Sequence, residues 1–271
     1  MKDIFDIKGR VIVVTGATGV LAGATARYLA KCGACVAFLG RNKDKLAEAE
    51  AFCKENNCEG IAVACDVLDS KSCEAACETI LAKWGRIDVL INGAGGNLSG
   101  AVVQPDGSFF DVDVEQWSQV LKLNLEGTLN PTIAFGKYFE KVKRGAIVNF
   151  SSMTAQSAVT RVLGYSNAKA AVDNLTKWLA VEFAKKIGEG VRVNAVAPGF
   201  FISSQNRALL TNEDGSLTER GKDIVRKTPF GRFGEADEVF GAIHYLCSDA
   251  SKFVTGTILA IDGGFSCFSG V

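Results

Sequence analysis

Short apolar runs alternate with longer amphipathic segments along the whole chain. Seven of these runs are almost continuous in β-branched and other apolar residues, which is typical of parallel strands covered on both faces. They cover residues 11–14, 36–39, 61–65, 89–92, 147–150, 191–196 and 258–261. The pattern therefore predicts a parallel sheet of seven strands.

The segments between the strands carry apolar residues at helical spacing. They cover residues 21–32, 43–55, 70–84, 114–129, 166–186 and 235–249. This alternation predicts an α/β fold of the Rossmann type, with a doubly wound parallel sheet and helices on both faces. No linker or shift in composition divides the 271 residues, so we expect a single domain. Ligands of such folds bind beyond the carboxyl ends of the strands.

One stretch interrupts the alternation. Residues 199–232 carry no strand pattern and include the polar sequence TNEDGSLTERG. An insertion before the last helix and strand is well placed to act as a substrate lid, and a surface loop without such a role is the alternative. We expect a lid, because PGFFISSQNR begins at the carboxyl end of a predicted strand.

Charge and cysteine content narrow the choice of partner and compartment. Thirty basic residues balance thirty acidic ones, which gives no reason to expect nucleic acid or an anionic membrane as the main partner. The first ten residues, MKDIFDIKGR, carry charges where a secretory signal needs an apolar segment. Nine cysteines, an odd number, argue against a disulfide framework and for a reducing compartment. We therefore expect a cytoplasmic protein.

Potential metal ligands are scarce. Cys32 and Cys35 have C-x-x-C spacing without a second such pair, and the only histidine, His244, lies far away within a helical pattern. Zinc would lack a ligand set. We predict no metal site and interpret the cysteines as small apolar residues.

The segment YSNAK carries the clearest chemical signal. Tyr165 and Lys169 are four residues apart, on one face of a helix. An ammonium group beside a phenol lowers the phenol pKa, which suits reversible proton transfer to a carbonyl oxygen. Ser152 follows the strand AIVNFSS and is placed to bind the same oxygen. Asn124 interrupts an apolar helical pattern; it either bonds to backbone in the core or holds a water on a proton path from Lys169.

Further motifs accompany these four residues in a fixed order. They are TGATGVLAG at 15–23, CDV at 65–67, NGAG at 92–95, APG at 197–199 and DGG at 262–264. Together with the four residues, they resemble the short-chain dehydrogenase/reductase family over nearly the whole chain. The resemblance implies a nicotinamide-dependent oxidoreductase, active as a homotetramer, that interconverts a ketone and a secondary alcohol. It implies a catalytic tetrad of Asn124, Ser152, Tyr165 and Lys169.

The resemblance also implies which residues bind the cofactor. Lys169 would bind the nicotinamide ribose, and Asp66 with Val67 would flank the adenine. The complete expected set is Gly16, Thr18, Gly19, Val20, Leu21, Gly40, Arg41, Asn42, Asp66, Val67, Asn92, Gly93, Ala94, Gly95, Tyr165, Lys169, Pro198, Gly199 and Phe201.

The glycine loop departs from the family pattern. The family has T-G-x-x-x-G-x-G, whereas Val20 and Ala22 stand at its last two glycine positions in this chain. A pyrophosphate needs small residues at the turn and backbone N–H groups at the helix N-terminus. Because Gly16, Gly19 and Ala22 still meet this need, we expect the loop to hold a dinucleotide.

The end of the second predicted strand bears on the choice of cofactor. A carboxylate there would bond to the ribose 2′-hydroxyl of NAD, but this chain has Gly40 followed by Arg41. A guanidinium binds a 2′-phosphate through two bonds, so we predict NADP(H). If Arg41 only packs on the adenine, NAD(H) is also accepted.

Within the family, the chain resembles the D-mannonate oxidoreductase (fructuronate reductase) branch. The similarity lies in TGATGVLAG, INGAGGN, SLTERGK, PGFFISSQNR, TPFGRFGE and the ending IDGGFSCFSGV. This branch implies a small sugar-acid substrate, with D-fructuronate reduced to D-mannonate or the reverse. Other ketones of the gluconate, polyol or 3-oxoacyl type are alternatives. A non-catalytic NADP-binding redox sensor is disfavoured, because a sensor needs no activated phenol.

A sugar acid requires a cation for its carboxylate. Arg161 and Arg207 are candidates, although each taken alone is also typical of a solvated surface charge. The predicted substrate-binding set is Asn97, Ser152, Arg161, Tyr165, Asn206 and Arg207.

Overall fold

The computed structural model describes residues 3–202 and 207–270. It contains the predicted parallel sheet, with strands in the order β3-β2-β1-β4-β5-β6-β7. The strands are β1 (Val11–Thr15), β2 (Cys35–Gly40), β3 (Gly60–Ala64), β4 (Val89–Asn92), β5 (Gly145–Phe150), β6 (Val191–Pro198) and β7 (Ile258–Ile261). The Rossmann-type α/β prediction is confirmed.

Each predicted helical segment also forms a helix. The α-helices of the described chain are α1 (Val20–Lys31), α2 (Lys43–Glu55), α3 (Ser70–Trp84), α4 (Val114–Leu121), α5 (Gly127–Val142), α6 (Leu163–Lys186), α7 (Arg207–Leu210), α8 (Glu219–Lys227) and α9 (Phe240–Cys247). The segment predicted as one helix over 114–129 is interrupted by a π-turn, Lys122–Glu126. It then continues as α5 well beyond the predicted end.

The sheet buries two apolar cores, one on each face. Successive residues of β1 point to opposite faces, so Ile12 packs in the core formed with α1, α2 and α9. Its neighbour Val13 packs in the core formed with α3, α5 and α6. This two-sided burial explains why the strands are continuously apolar in sequence.

The strand order reverses between β1 and β4, which are parallel neighbours. Thr15, at the end of β1, ties the loop after β4 to this point, because its Oγ1 accepts hydrogen bonds from the backbone of Gly93 and Ala94 at 3.1 and 3.2 Å. A crevice between the two loops is the expected ligand position in an open α/β sheet.

The described part of the predicted lid, residues 199–202 and 207–232, contains α7 and α8 and no strand. An isolated bridge between Thr211 and Leu217 links the two helices. Both helices contribute to a small apolar cluster that also contains Met153, the residue after Ser152. The cluster is Met153, Leu210, Ile224, Phe233 and Phe265.

The cysteines and the histidine occupy structural positions. All nine cysteines carry free thiols, and Cys32 and Cys35 pack against opposite cores. The His244 ring bonds to the Tyr28 hydroxyl at 3.1 Å and the Phe5 carbonyl at 2.8 Å. Within 3–202 and 207–270, no cluster of three or more His, Cys, Asp or Glu side chains is arranged to hold a metal ion. No helix of that part of the chain has the length and apolar character needed to cross a bilayer.

Candidate active site

A cavity of about 670 Å³ opens at the carboxyl ends of the strands, around the point where the strand order reverses. Its size is that of a small-molecule or cofactor site. Most of the residues predicted from the sequence contribute to its wall. They are Gly16, Thr18, Gly19, Val20, Leu21, Gly40, Arg41, Asn42, Val67, Gly93, Ala94, Gly95, Asn97, Ser152, Tyr165, Lys169, Pro198, Gly199 and Phe201.

Two residues expected to bind the cofactor, Asn92 and Asp66, do not line the cavity. The Asn92 amide is turned into the core, where Nδ2 donates to Thr132 Oγ1 at 3.0 Å and Asn149 Oδ1 at 2.9 Å. The Asp66 carboxylate folds back on its own loop and accepts the Leu68 amide at 3.0 Å. Asn92 Nδ2 and the Asp66 carboxylate are thus bonded within the protein, whereas Asn92 Oδ1 is buried without a hydrogen-bond partner among the described residues.

The glycine loop forms a cradle that has no room for larger side chains. Gly16 has a φ of +65°, and a Cβ added there would lie 2.7 Å from the Ala94 Cα. Helix α1 begins at Val20, so the backbone N–H groups of its first turn are free to face an anion at the cavity wall.

Ala22 stands where the family has glycine, and the loop after β4 leaves room for its side chain. A Cβ on Gly93 would lie only 2.6 Å from the Ala22 Cβ. Because Gly93 has no side chain, the alanine fits where the family carries glycine. The loop therefore retains the shape and the free N–H groups that a pyrophosphate requires.

The far end of the cavity, at the end of β2, is basic. A Cβ on Gly40 would lie 2.7 Å from the Thr18 Cγ2, so a carboxylate side chain at this position would require Thr18 to move. Arg41 lines the wall beside it, as does Lys45, one turn further on. The Lys45 ammonium donates to the Thr18 carbonyl at 3.4 Å. The sequence motifs did not indicate Lys45, although it lies only three residues after Asn42, which caps α2.

Lys169 lies buried at the opposite end of the cavity. Its side chain is 3% exposed, and Nζ donates to the Phe150 carbonyl at 2.7 Å. Burial lowers the pKa of Lys169 to about 8, while the charge of Asp173 acts in the other direction. Its Nζ is 5.4 Å from the centre of the Tyr165 ring.

Ser152 Oγ accepts the Thr154 amide at 3.2 Å, and its hydroxyl lies near enough to the Tyr165 phenol to lower the phenol pKa. Burial raises the pKa of Tyr165 above its ordinary value, and the Ser152 hydroxyl lowers it only in part. The expectation of a lowered phenol pKa is therefore wrong for this state of the protein. The reason is that the Lys169 ammonium donates to the Phe150 carbonyl, while the partial burial of the phenol disfavours its charged form.

Asn124 lies fully buried in the π-turn. Its Nδ2 donates to the carbonyls of Gly96 and Val120 at 2.7 and 2.8 Å, and its Oδ1 accepts the Gly96 amide at 3.2 Å. The asparagine thus bonds to backbone, the first of its two expected roles. These bonds fix the loop after β4 beside Lys169.

Close packing at this loop predicts a large effect for one added methyl group. In Gly95→Ala, the Cβ would lie 2.5 Å from Asn124 Oδ1 and 3.3 Å from Lys169 Nζ. We expect turnover to fall by about tenfold or more, because both side chains must move. Steady-state kinetics test this, with Gly96→Ala as the matched control, since its Cβ would meet only Leu123 at 3.8 Å. Equal effects of the two substitutions would contradict the prediction.

A buried carboxylate, that of Asp173, lies one helical turn after Lys169. Asp173 is buried and accepts a hydrogen bond from the Ser151 hydroxyl. Burial raises the pKa of Asp173 above the usual aspartate range. Sequence analysis did not single out Asp173, although it follows Lys169 at helical spacing on α6. It anchors the segment that carries Ser152.

The predicted substrate residues are less closely grouped. Asn97 lines the cavity, whereas Arg161 does not, although the next residue, Val162, does. Arg207 is exposed at the start of α7. Asn206 lies outside the described residues.

Comparison with known proteins gives full-length matches. A family model described as enoyl-(acyl carrier protein) reductase matches residues 16–266. An uncharacterized oxidoreductase of Bacillus subtilis is 43% identical over 98% of both chains. A Haemophilus influenzae structure with bound NAD, provisionally described as a D-mannonate oxidoreductase, is 39% identical with a TM-score of 0.92 over 98% of both chains. A gluconate 5-dehydrogenase of Burkholderia cenocepacia, in complex with NADP and tartrate, is 30% identical with a TM-score of 0.86 over 98% of both chains.

Proposed function

Because the chain belongs to the short-chain dehydrogenase/reductase family and is an NAD(P)-dependent oxidoreductase, we propose that it interconverts D-fructuronate and D-mannonate. One observation carries the catalytic part of this proposal. The Ser152–Tyr165 hydroxyl pair and the buried Lys169 ammonium meet at one end of a cavity that has a phosphate-type cradle along its side. The similarity to the Haemophilus protein supports the sugar acid.

In the proposed mechanism, a bound nicotinamide dinucleotide supplies or accepts the hydride. Tyr165 donates its proton to the carbonyl oxygen during reduction and takes it back during oxidation. Ser152 donates a hydrogen bond to the same oxygen and holds it beside the phenol. Lys169 stabilises the phenolate that forms, so that the raised pKa of Tyr165 falls when the ammonium turns toward it. Asn124 keeps the loop after β4 in position.

We assign the cofactor cradle to the wall residues listed above and favour NADP(H). The support is the basic end of the cavity, where Arg41 and Lys45 lie beside Gly40, a position at which a carboxylate side chain would require Thr18 to move. A 2′-phosphate would be bonded there by a guanidinium and an ammonium group. The 2′-hydroxyl of NAD leaves both cations without a phosphate partner but does not clash with them.

Arg41→Ala is expected to lower kcat/KM with NADPH by about tenfold or more, because a charge-assisted bond to phosphate is lost. The value with NADH should stay within about twofold, since the ribose hydroxyl gains little from a guanidinium. Parallel kinetics with both cofactors measure this. Lys43→Ala is the control, an exposed cation on the same turn that is not part of the described wall. An equal loss with both cofactors would indicate packing on the adenine instead.

For the substrate end, we propose that Asn97 meets a hydroxyl of the sugar and that Arg161 binds its carboxylate. Asn206 and Arg207 remain further proposed contacts at the start of the lid. The lid itself, residues 199–232, is proposed to cover the substrate, and its apolar contact with Met153, next to Ser152, supports this arrangement.

The proposed reaction is tested by following consumption of NADPH and NADH by the purified protein with D-fructuronate. Rapid, saturable turnover would support the sugar-acid assignment, and the ratio of the two cofactors would test the basic end of the cavity. Turnover of neutral ketoses or 3-oxoacyl thioesters, but not of D-fructuronate, would overturn the substrate and leave the oxidoreductase class intact.

We further propose a homotetramer in the cytoplasm. Large apolar side chains on α5 and α6 are exposed in the single chain, with Ile133 at 50%, Trp178 at 59% and Val181 at 56%. Packing of a second copy would remove this surface from water. The nine free thiols support a reducing compartment.

A further inference from the structure

A second arginine lies against the turn that carries Arg161. Arg220, in the first turn of α8, donates from Nη2 to the Thr160 carbonyl at 3.3 Å and from Nη1 to the Thr160 hydroxyl at 3.5 Å. The lid helix is thereby joined to the segment just before α6. The two arginines come from parts of the chain about sixty residues apart.

Both guanidinium groups are partly buried, and among residues 3–202 and 207–270 neither forms an ion pair with a carboxylate. Two other cations of α8 differ in this respect, since Lys222 pairs with Glu219 and Arg226 pairs with Asp223. Burial and the nearby charge of Arg161 lower the pKa of Arg220. Arg161 and Arg220 are therefore near enough for their charges to interact, and neither has a carboxylate counter-charge among the described residues, which costs free energy in the absence of an anion.

The backbone of Arg161 is also unusual. Its φ is +78°, a left-handed conformation that residues other than glycine rarely adopt. The conformation is held from both sides, because the Arg161 carbonyl accepts the amides of Val103 at 2.9 Å and Leu163 at 3.1 Å. Strain of this kind is typical of sites where a side chain must be held in one position for a ligand.

The arginine pair lies next to the catalytic end of the cavity. Val162 and Tyr165, one and four residues after Arg161, both line it. On the other side, α8 packs through Ile224 against Met153, which directly follows Ser152. Arg207, the other candidate cation, is exposed on α7 and has no such position.

We propose that Arg161 and Arg220 together form an anion subsite that binds the carboxylate of the substrate, an inference that rests on the proposed function. A carboxylate between the two guanidinium groups supplies the missing counter-charge. It also connects α8 to the turn before α6, so that binding an acid substrate holds the lid over the site. A neutral sugar supplies no counter-charge to the two cations.

The subsite is tested by calorimetric binding in the Tyr165→Phe background, with oxidised cofactor bound and turnover blocked. The ligands are D-mannonate and D-mannitol, which have the same carbon chain and differ only in the carboxylate. Arg220→Gln and Arg161→Gln should each weaken D-mannonate binding by about 10- to 100-fold and change D-mannitol binding by no more than about twofold. Arg226→Gln, on the exposed face of the same helix, should change neither.

Other outcomes separate this inference from the proposed reaction. If the variants bind D-mannonate as tightly as the parent, or lose both ligands equally, the subsite is wrong. A parent that binds both ligands equally well also overturns it. If D-mannonate binding depends on Arg161 and Arg220 but wild-type protein does not turn over D-fructuronate, the subsite stands and the proposed reaction fails. Arg220→Lys retains the charge and should recover part of the affinity, whereas a purely structural defect would not depend on charge.

Discussion

Tyr165→Phe is expected to lower turnover by about two to four orders of magnitude, because it removes the only proposed proton donor at the reacting oxygen. Cofactor affinity should stay within about twofold, since the phenol oxygen contributes little to binding the dinucleotide. Stopped-flow measurement of hydride transfer and fluorescence titration of the reduced cofactor separate the two effects.

Tyr138→Phe provides the matched control for this experiment. Tyr138 is a partly buried tyrosine of α5 that packs against the core formed with α3 and α6. The Tyr138→Phe variant should retain full activity. If Tyr165→Phe also retains it, Tyr165 has no part in proton transfer and the proposed mechanism fails.

Lys169→Met is expected to abolish most turnover and, at the same time, to stabilise the folded protein. The substitution removes the cation that stabilises the phenolate, so kcat should fall by about two orders of magnitude or more. Stability should increase because a buried ammonium is costly. Lowering the pKa from 10.5 to about 8 corresponds to a cost on the order of 3 kcal/mol. Loss of the bond to the Phe150 carbonyl offsets part of this, which leaves a gain on the order of 1 kcal/mol, or about 2–4 °C in Tm.

This stabilisation has a definite dependence on pH. Between pH 8 and 10.5, the unfolded chain binds the lysine proton and the folded chain does not, so the stability of the wild type rises with pH across this interval. The advantage of Lys169→Met should be complete below about pH 8 and should disappear above about pH 10.5. Thermal unfolding at several pH values measures it. Lys185→Met, at an exposed position of the same helix, is the control. A constant difference in Tm at every pH would show that charge burial is not its cause.

The sequence predicted the sheet almost residue by residue, because parallel strands buried on both faces are continuously apolar. Helices α7 and α8 escaped prediction for the opposite reason. Helix α8 is short and polar, and it buries only Gly221 and Ile224, which is too few for a helical repeat to be recognised. Arg220 therefore could not be connected with Arg161 before the fold brought them together.

For the candidate catalytic residues, too, some features followed from the sequence and others did not. Spacing on one helix correctly placed Tyr165 and Lys169 on the same cavity wall. It did not reveal the pKa of the phenol, which depends on burial and on the Phe150 carbonyl that takes the ammonium bond. Nor did a motif distinguish Asn92, whose amide is used inside the core, from the glycines that follow it at the wall.

The π-turn around Asn124 limits how this part of the enzyme can be redesigned. A π-turn contains one residue more than regular α-helix needs, and such turns are often found at functional positions. Deleting that residue would let α4 and α5 join as one ordinary helix with the residues on either side kept in register, because the widened turn is what absorbs the extra residue. Asn124 would then lose the loop after β4. The extra residue thus replaces a regular helix by a widened turn from which Asn124 bonds to the loop after β4.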